Sequence, residues 1–171
     1  INKMSGLEKE VFSFDMLGEA ARTPQQADDY FESYKSAIDE VGKINTARNL
    51  FNGVSIKISA LHPRYETRKI NQVESELLPK LKELVNYAQS KDVEITIDAE
   101  EQDRLSLSLH IIEKLAYGQN IRDWPGFGIA LQAYGKRSFD VIHWLNGILD
   151  KRDGMHLRLV KGAYWDYEIK H

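Results

Sequence analysis

The chain has 171 residues, of which 42% are hydrophobic and 29% are charged, as in an ordinary globular domain. Its net charge is −3 and its basic residues are dispersed, so contacts with nucleic acid are not expected. Cysteine is absent, which excludes disulfides, thiolate catalysis and cysteine-ligated metal sites. Neither a membrane-spanning window nor a signal-peptide core is visible, and a cytoplasmic location is expected.

Five segments have the composition and alternation of β-strands. They are residues 11–16, 54–59, 93–98, 127–132 and 156–161. Stretches with helical periodicity separate them, which predicts an α/β fold of parallel βαβ units. A complete (βα)₈ barrel needs about 250 residues. We therefore predict a partial TIM-type barrel, in which residues 1–171 form the N-terminal portion of the domain and its open strand edges favour self-association.

The first helix is predicted to begin at Thr23-Pro24, where Thr23 can cap and Gln26 can complete a capping box. Pro79 interrupts the second helical pattern, so that helix is expected either to kink there or to begin there. Two further helices are predicted at residues 103–117 and 138–149.

Each predicted strand ends in a polar side chain. These are Asp15, Lys57, Asp98, Gln132 and Arg158. Strand alternation places at least the last four on one face, opposite the aliphatic pairs Ile56/Ile58, Ile95/Ile97, Ile129/Leu131 and Leu157/Leu159. The aliphatic face is expected to pack against outer helices. The polar face then lines a shared interior near the carboxyl ends of the strands, where barrel enzymes hold their chemistry. A self-neutralising ionic network without a ligand is the alternative.

Motifs for metal or dinucleotide binding are absent. The histidines lack metal-ligand spacing, and no GxGxxG or phosphate-loop motif occurs, so no metal site is predicted. Gly162 directly follows the last strand, where a glycine can let backbone N–H groups approach an anion.

Five strings together resemble the proline dehydrogenase family. They are FSFDMLGEAA (12–21), SIKISAL (55–61), TIDAEE (96–101), ALQAY (130–134) and LRLVKGAYWD (157–166). The resemblance is to the dehydrogenase domain of the bifunctional bacterial proline utilization A flavoenzymes. It implies a distorted (βα)₈ barrel that binds FAD and oxidises L-proline to Δ1-pyrroline-5-carboxylate. Electrons would pass to a membrane quinone, with the parent enzyme peripheral on the inner membrane face.

The resemblance also implies roles for individual residues. Gln132 and Arg158 match positions that hydrogen-bond the flavin ring, with Arg158 close to N5. The stretch that wraps the cofactor is matched by Val160, Lys161, Gly162, Ala163 and Trp165, and Tyr164 matches an aromatic residue beside the substrate. Lys57 matches a cation for the proline carboxylate, Asp98 a carboxylate beside the substrate pocket, and Glu19 the acidic half of an ion-pair gate. For Asp15 we favour an ionic role inside the barrel over substrate contact.

The family's last strands and final helix, which supply an arginine pair for the substrate carboxylate, have no counterpart in the sequence, nor has the aldehyde dehydrogenase module. Little activity is therefore expected of this chain alone. Two rival functions stay open. Lys57 could be the nucleophile of a Schiff-base aldolase or lyase, or the chain could be a non-catalytic assembly fragment.

Overall fold

A computed structural model describes residues 10–169, in which strands and helices alternate along the chain. The strands are β1 (Ser13–Asp15), β2 (Gly53–Ile56), β3 (Glu94–Ile97), β4 (Phe127–Gln132) and β5 (His156–Val160). The helices are α1 (Pro24–Arg48), α2 (Ile70–Ser90), α3 (Leu105–Ala116), α4 (Ser138–Leu149) and α5 (Trp165–Ile169). None of the helices within residues 10–169 is long and apolar enough to cross a membrane.

The five strands form one sheet in the order β1-β2-β3-β4-β5, and every neighbouring pair is parallel. Sequential parallel order with a helix in each connection is the arrangement of a (βα)₈ barrel. The predicted α/β half-barrel is therefore confirmed. Within the described residues, β1 and β5 are the two edges of the sheet.

Helix α1 begins as its sequence predicts. The Thr23 hydroxyl accepts a hydrogen bond from the Gln26 N–H at 3.1 Å, and Pro24 occupies the first turn. The Gln26 side chain reaches back to the Arg22 N–H at 2.9 Å, one residue before the position that a standard capping box uses. The helix ends at Asn49, which adopts the left-handed conformation typical of a helix C-terminus.

Helix α2 contains Pro79 in its interior, so the predicted start at that residue is wrong. The boundaries of β2 also differ from the prediction. A 3₁₀ helix, Ile58–Leu61, replaces the last two predicted strand residues, so Lys57 follows β2 and Ile58 is buried in that helix. The bounds of β4 and α4 are as predicted, whereas β1, β3, β5 and α3 are shorter.

The aliphatic face of the strands forms the core together with α1 to α4. For β2 to β4 this agrees with the expectation, since Ile56, Ile95 and Ile129 are at most 2% exposed. On β5 the expectation is wrong, since Leu157 is 42% and Leu159 59% exposed. The alternation holds, but no described helix covers this strand's outer face.

Candidate active site

Polar side chains converge on the interior face of the sheet, at the carboxyl ends of the strands. The strand register places Asp15 beside Ser55 and Ser55 beside Thr96. Towards the other edge of the sheet, Ala130 on β4 lies beside Arg158 on β5. Because side chains alternate along a strand, these positions face the same interior.

Four charged residues form a continuous row across this interior, which we call the ionic row: Asp15, Lys57, Asp98 and Arg158. The Lys57 ammonium donates to Asp15 Oδ1 at 2.7 Å and to Asp98 Oδ2 at 3.0 Å. The Arg158 guanidinium donates through Nη2 to the other oxygen of Asp98. The structure thus brings together four of the five polar strand-end residues that the sequence analysis singled out. The row is formally neutral.

The pKa of Lys57 lies above its ordinary value. Burial by itself lowers this pKa, but the hydrogen bonds to Asp15 and Asp98, with their negative charges, outweigh burial and raise it. The ammonium is therefore kept charged at neutral pH. A charged amine is not a nucleophile, so this geometry counts against a Schiff-base role for Lys57.

Two serines that the sequence analysis did not single out accept hydrogen bonds from the Arg158 guanidinium. Arg158 Nη1 donates to Ser13 Oγ and to Ser55 Oγ, each at 3.0 Å, and the two hydroxyls lie 3.1 Å apart. A signal was present in the sequence, because the serines precede Asp15 and Lys57 by two residues. In a strand, that spacing places side chains on the same face.

Gln132 lies apart from the ionic row, and both ends of its amide are used. Its Nε2 donates to the Glu100 carbonyl at 3.0 Å, and its Oε1 accepts from the Ala163 N–H at 3.1 Å. The side chain is only 2% exposed. Gln132 therefore fixes the segment that follows β5 against the end of β4.

Gly162 lies in that segment with φ +117°, a backbone conformation that residues with a Cβ rarely adopt. A Cβ at this position would lie 2.2 Å from Tyr134 Cε1, so the segment passes directly over that ring. The Tyr134 hydroxyl donates to Glu168, which also accepts from the Gln102 N–H at 2.8 Å. Tyr134 and Glu168 were not anticipated, and they secure the start of α5.

Tyr164 and Glu19 meet although they are far apart in the sequence. The Tyr164 hydroxyl donates to Glu19 Oε2 at 3.1 Å. Burial and the negative charge of Glu19 raise the pKa of Tyr164, which stays a neutral donor. The contact joins the segment after β1 to the segment after β5.

The remaining residues predicted to wrap a cofactor lie in one continuous segment at the carboxyl ends of the strands, which form the mouth of the barrel. Val160 ends β5 and is partly buried, Lys161 and Ala163 are exposed, and Trp165 begins α5 with 46% of its surface exposed. Their cofactor roles stay predictions.

The donor set suits a flavin. The ring of a flavin presents nitrogen and oxygen acceptors along its edge, and the Arg158 guanidinium has five N–H donors. Described residues take three of them, two on Nη1 and one on Nη2. Donors on Nε and Nη2 are left, on a side chain that is 36% exposed toward the interior. Within residues 10–169, no group of three or more acidic or histidine side chains is placed to hold a metal ion.

A family model described as proline dehydrogenase matches residues 1–171, the whole chain. The chain belongs to the proline dehydrogenase family. It is 47% identical to the bifunctional protein PutA of Escherichia coli over 162 residues, which are 93% of this chain and 12% of that protein. It is 27% identical to proline dehydrogenase 1 of Bacillus subtilis over 152 residues, 89% of this chain and 43% of that protein.

Solved structures of the same family have the same fold. A mutant of Bradyrhizobium japonicum proline utilization A superimposes with a TM-score of 0.88 at 46% identity, covering 93% of this chain and 17% of that one. Proline utilization A from Bdellovibrio bacteriovorus, inactivated by N-propargylglycine, gives a TM-score of 0.88 at 27% identity. That match covers 98% of this chain and 19% of the other. The chain thus spans a small part of the PutA relatives it matches.

Proposed function

We propose that the protein takes part in the FAD-dependent oxidation of L-proline to Δ1-pyrroline-5-carboxylate. Membership of the proline dehydrogenase family supports a proline substrate. The structural observation that carries the proposal is Arg158, which faces the barrel interior with donors left for a ligand. A bound flavin would supply the two-electron acceptor: proline with a neutral amine would lose a hydride from C5 and one proton from the ring nitrogen.

On the flavin side, Arg158 would supply a positive charge and hydrogen-bond donors near N5, which would favour the electron-rich reduced ring. Gln132 would offer the ring the second N–H of its Nε2, since the Glu100 carbonyl takes the first and Oε1 holds the Ala163 N–H. Residues 160–165 would wrap the cofactor, and the left-handed Gly162 lets their backbone lie close against Tyr134.

On the substrate side, Lys57 would bind the proline carboxylate through the third N–H of its ammonium, since Asp15 and Asp98 take two. Both carboxylates repel a second anion, and the neutral row provides no net attraction. Further cations are needed, and the arginine pair of the family supplies that charge. Asp15 and Asp98 therefore act as ionic partners of Lys57 in this proposal, and neither removes a proton.

Glu19 and Tyr164 would lie over the substrate. The hydroxyl contact between them links the segment after β1 to the segment after β5. Glu19 would also form an ion pair with a cationic side chain from elsewhere in the protein, and this ion pair would close the mouth of the barrel. A quinone at the inner membrane face would reoxidise the flavin.

The test follows the visible absorbance of the protein after addition of FAD, in this chain and in a form extended through the remaining barrel strands. We expect the extended form to become yellow and to bleach with L-proline. D-Proline serves as the control for correct positioning, and it should bleach the flavin far more slowly. An extended form that binds no FAD would refute the proposal.

The Schiff-base rival has its own test. Borohydride would trap a carbonyl substrate on Lys57 if that residue were the nucleophile, and Lys57→Arg would abolish trapping. The charged state of Lys57 leads us to expect no trapped adduct.

A further inference from the structure

We infer that Ser13 and Ser55 are positioning residues that fix the direction of the Arg158 guanidinium. The inference rests on the proposed function, because it concerns how the protein aims a cation at the flavin. It goes further in that it gives a role to two neutral side chains on β1 and β2. Neither serine is required to touch the cofactor or the substrate.

The geometry is a closed triangle. Arg158 Nη1 lies 3.0 Å from each serine oxygen, and the two oxygens lie 3.1 Å from each other. A guanidinium is planar, so two acceptors on Nη1 and a carboxylate on Nη2 define its plane completely. The donors left on Nε and Nη2 are therefore aimed by Ser13 on β1, Ser55 on β2 and Asp98, which follows β3.

The chemistry of the acceptors matters as much as their number. A carboxylate at the position of either serine would pair with Arg158 and neutralise it. A hydroxyl accepts the hydrogen bond without adding a second negative charge beside Arg158. Among residues 10–169, Asp98 is the charged partner of Arg158, and it is shared with Lys57.

The two serines differ in burial. Ser55 is fully buried and lies beside Asp15 and Thr96 in the strand register. Ser13 is more exposed, on the edge strand. Arg158 spans the interior from β5 to reach them. Without the hydroxyls, Asp98 would be the one remaining hydrogen-bond partner of its side chain among the described residues.

The experiment compares Ser13→Ala/Ser55→Ala with wild type in the flavin-loaded full-length protein. We expect the reduction potential of the flavin to move to a more negative value, because the loosened Arg158 stabilises the reduced ring less. We expect kcat to fall about tenfold, less than the roughly 100-fold that a 1 Å misplacement can cost, with a much smaller change in KM for L-proline.

Three further variants separate positioning from general destabilisation. Ser108→Ala is the matched control, since Ser108 is a mostly buried serine whose hydroxyl lies 2.8 Å from the Tyr65 hydroxyl and hydrogen-bonds that residue rather than a member of the ionic row. It should lower stability and leave the potential unchanged. Ser13→Thr keeps the hydroxyl and should retain the wild-type reduction potential and kcat. In an Arg158→Lys background, removal of both serine hydroxyls should have little additional effect.

The outcomes are distinct. A wild-type protein that binds no flavin overturns the proposed function and the inference with it. A double variant that is yellow and active with unchanged potential and kcat overturns the inference alone, as does a shift of equal size in Ser108→Ala. If the double variant does not fold, the single variant Ser13→Ala is measured instead. We expect a smaller shift of the reduction potential in the same direction. No shift in that variant would refute the inference.

Discussion

Lys57 shows how single residues set the chemistry of the interior. Its side chain is 16% exposed, and its ammonium lies between two carboxylates, at 2.7 Å from Asp15 and 3.0 Å from Asp98. A buried cation costs free energy unless it is paired, and here the pairing outweighs the burial. The raised pKa makes this residue a fixed charge, suited to binding an anion.

The raised pKa of Lys57 predicts a dependence of stability on pH at alkaline pH. Because the folded-state pKa lies above the ordinary lysine value of 10.5, the contribution is fully present below that pH and is lost as pH rises through the folded pKa. The difference in free energy of unfolding between wild type and Lys57→Met should therefore shrink as the pH rises above about 10.5. Urea unfolding at a series of pH values measures it, and a constant difference would contradict the assignment.

The position of the His156 ring requires a glycine at residue 128. A Cβ on Gly128 would lie 2.0 Å from His156 Cδ2 and 2.4 Å from Cγ, so the whole ring would have to move. The ring nitrogen Nε2 lies 2.8 Å from Thr96 Oγ1, and that contact would be lost.

We expect Gly128→Ala to lower the free energy of unfolding by about 1–3 kcal/mol, the usual cost of overpacking. In a His156→Ala background the same substitution should cost much less, since the ring is gone. Thermal or urea unfolding of the four variants gives the coupling. Additive effects would show that the two residues do not contact each other.

At the scale of elements, two buried asparagines join the loops at the amino-terminal end of the strands. Asn52 Oδ1 accepts from the Phe12 N–H at 2.7 Å, and Asn52 Nδ2 donates to Asn45 Oδ1 at 2.8 Å. Asn45 in turn donates to the Asp92 carbonyl at 2.8 Å. The pair thus connects α1 with the residues that precede β1, β2 and β3.

Asn52→Ala would leave the Phe12 N–H without its side-chain acceptor and remove one donor to Asn45. We expect a loss of about 2–4 kcal/mol in the free energy of unfolding, because buried polar groups are costly when unpaired. Asn146→Ala, at an exposed position of α4, is the matched control and should change stability by less than about 0.5 kcal/mol. Equal effects in urea unfolding would rule out the proposed anchoring role.

The sequence predicts the order and type of these elements because their signals are local. Alternation, helical periodicity and the Thr23-Pro24 cap each act within a few residues. The end of β2 was predicted wrongly because SIKISAL continues to alternate where the chain turns into a 3₁₀ helix. The asparagine pair has no periodicity at all, and only the folded chain brings Asn45 and Asn52 beside Phe12.

For the candidate site, the same division holds. The four members of the ionic row were predicted together with Gln132 as one set of strand-end residues, and a self-neutralising ionic network was left open as the alternative to a ligand site. Which residues pair with one another was not predicted, since alternation gives no distances between strands. The contact of Tyr164 with Glu19 joins two loops, and no local pattern foretells it.

At the scale of the whole molecule, the sheet is open among the described residues, and its apolar side is incompletely covered at one edge. Leu157 and Leu159 on β5 are 42% and 59% exposed, and Phe139 at the start of α4 is 75% exposed. In a complete (βα)₈ barrel, eight strands close the sheet and a helix follows each strand, so no strand edge is left open. Apolar side chains exposed beside an unpaired strand edge favour association.

We therefore expect residues 1–171, prepared alone, to self-associate with increasing concentration, as the sequence analysis anticipated from its open edges. Leu157→Lys/Leu159→Lys should shift the population toward monomer, because the charges occupy the exposed outer face of β5 and repel one another. Lys substitution at Leu17, which is 96% exposed near the mouth, is the control and should leave the association unchanged. Sedimentation velocity at several concentrations measures it. A monomeric wild-type chain at every concentration would show that the uncovered edge does not drive assembly.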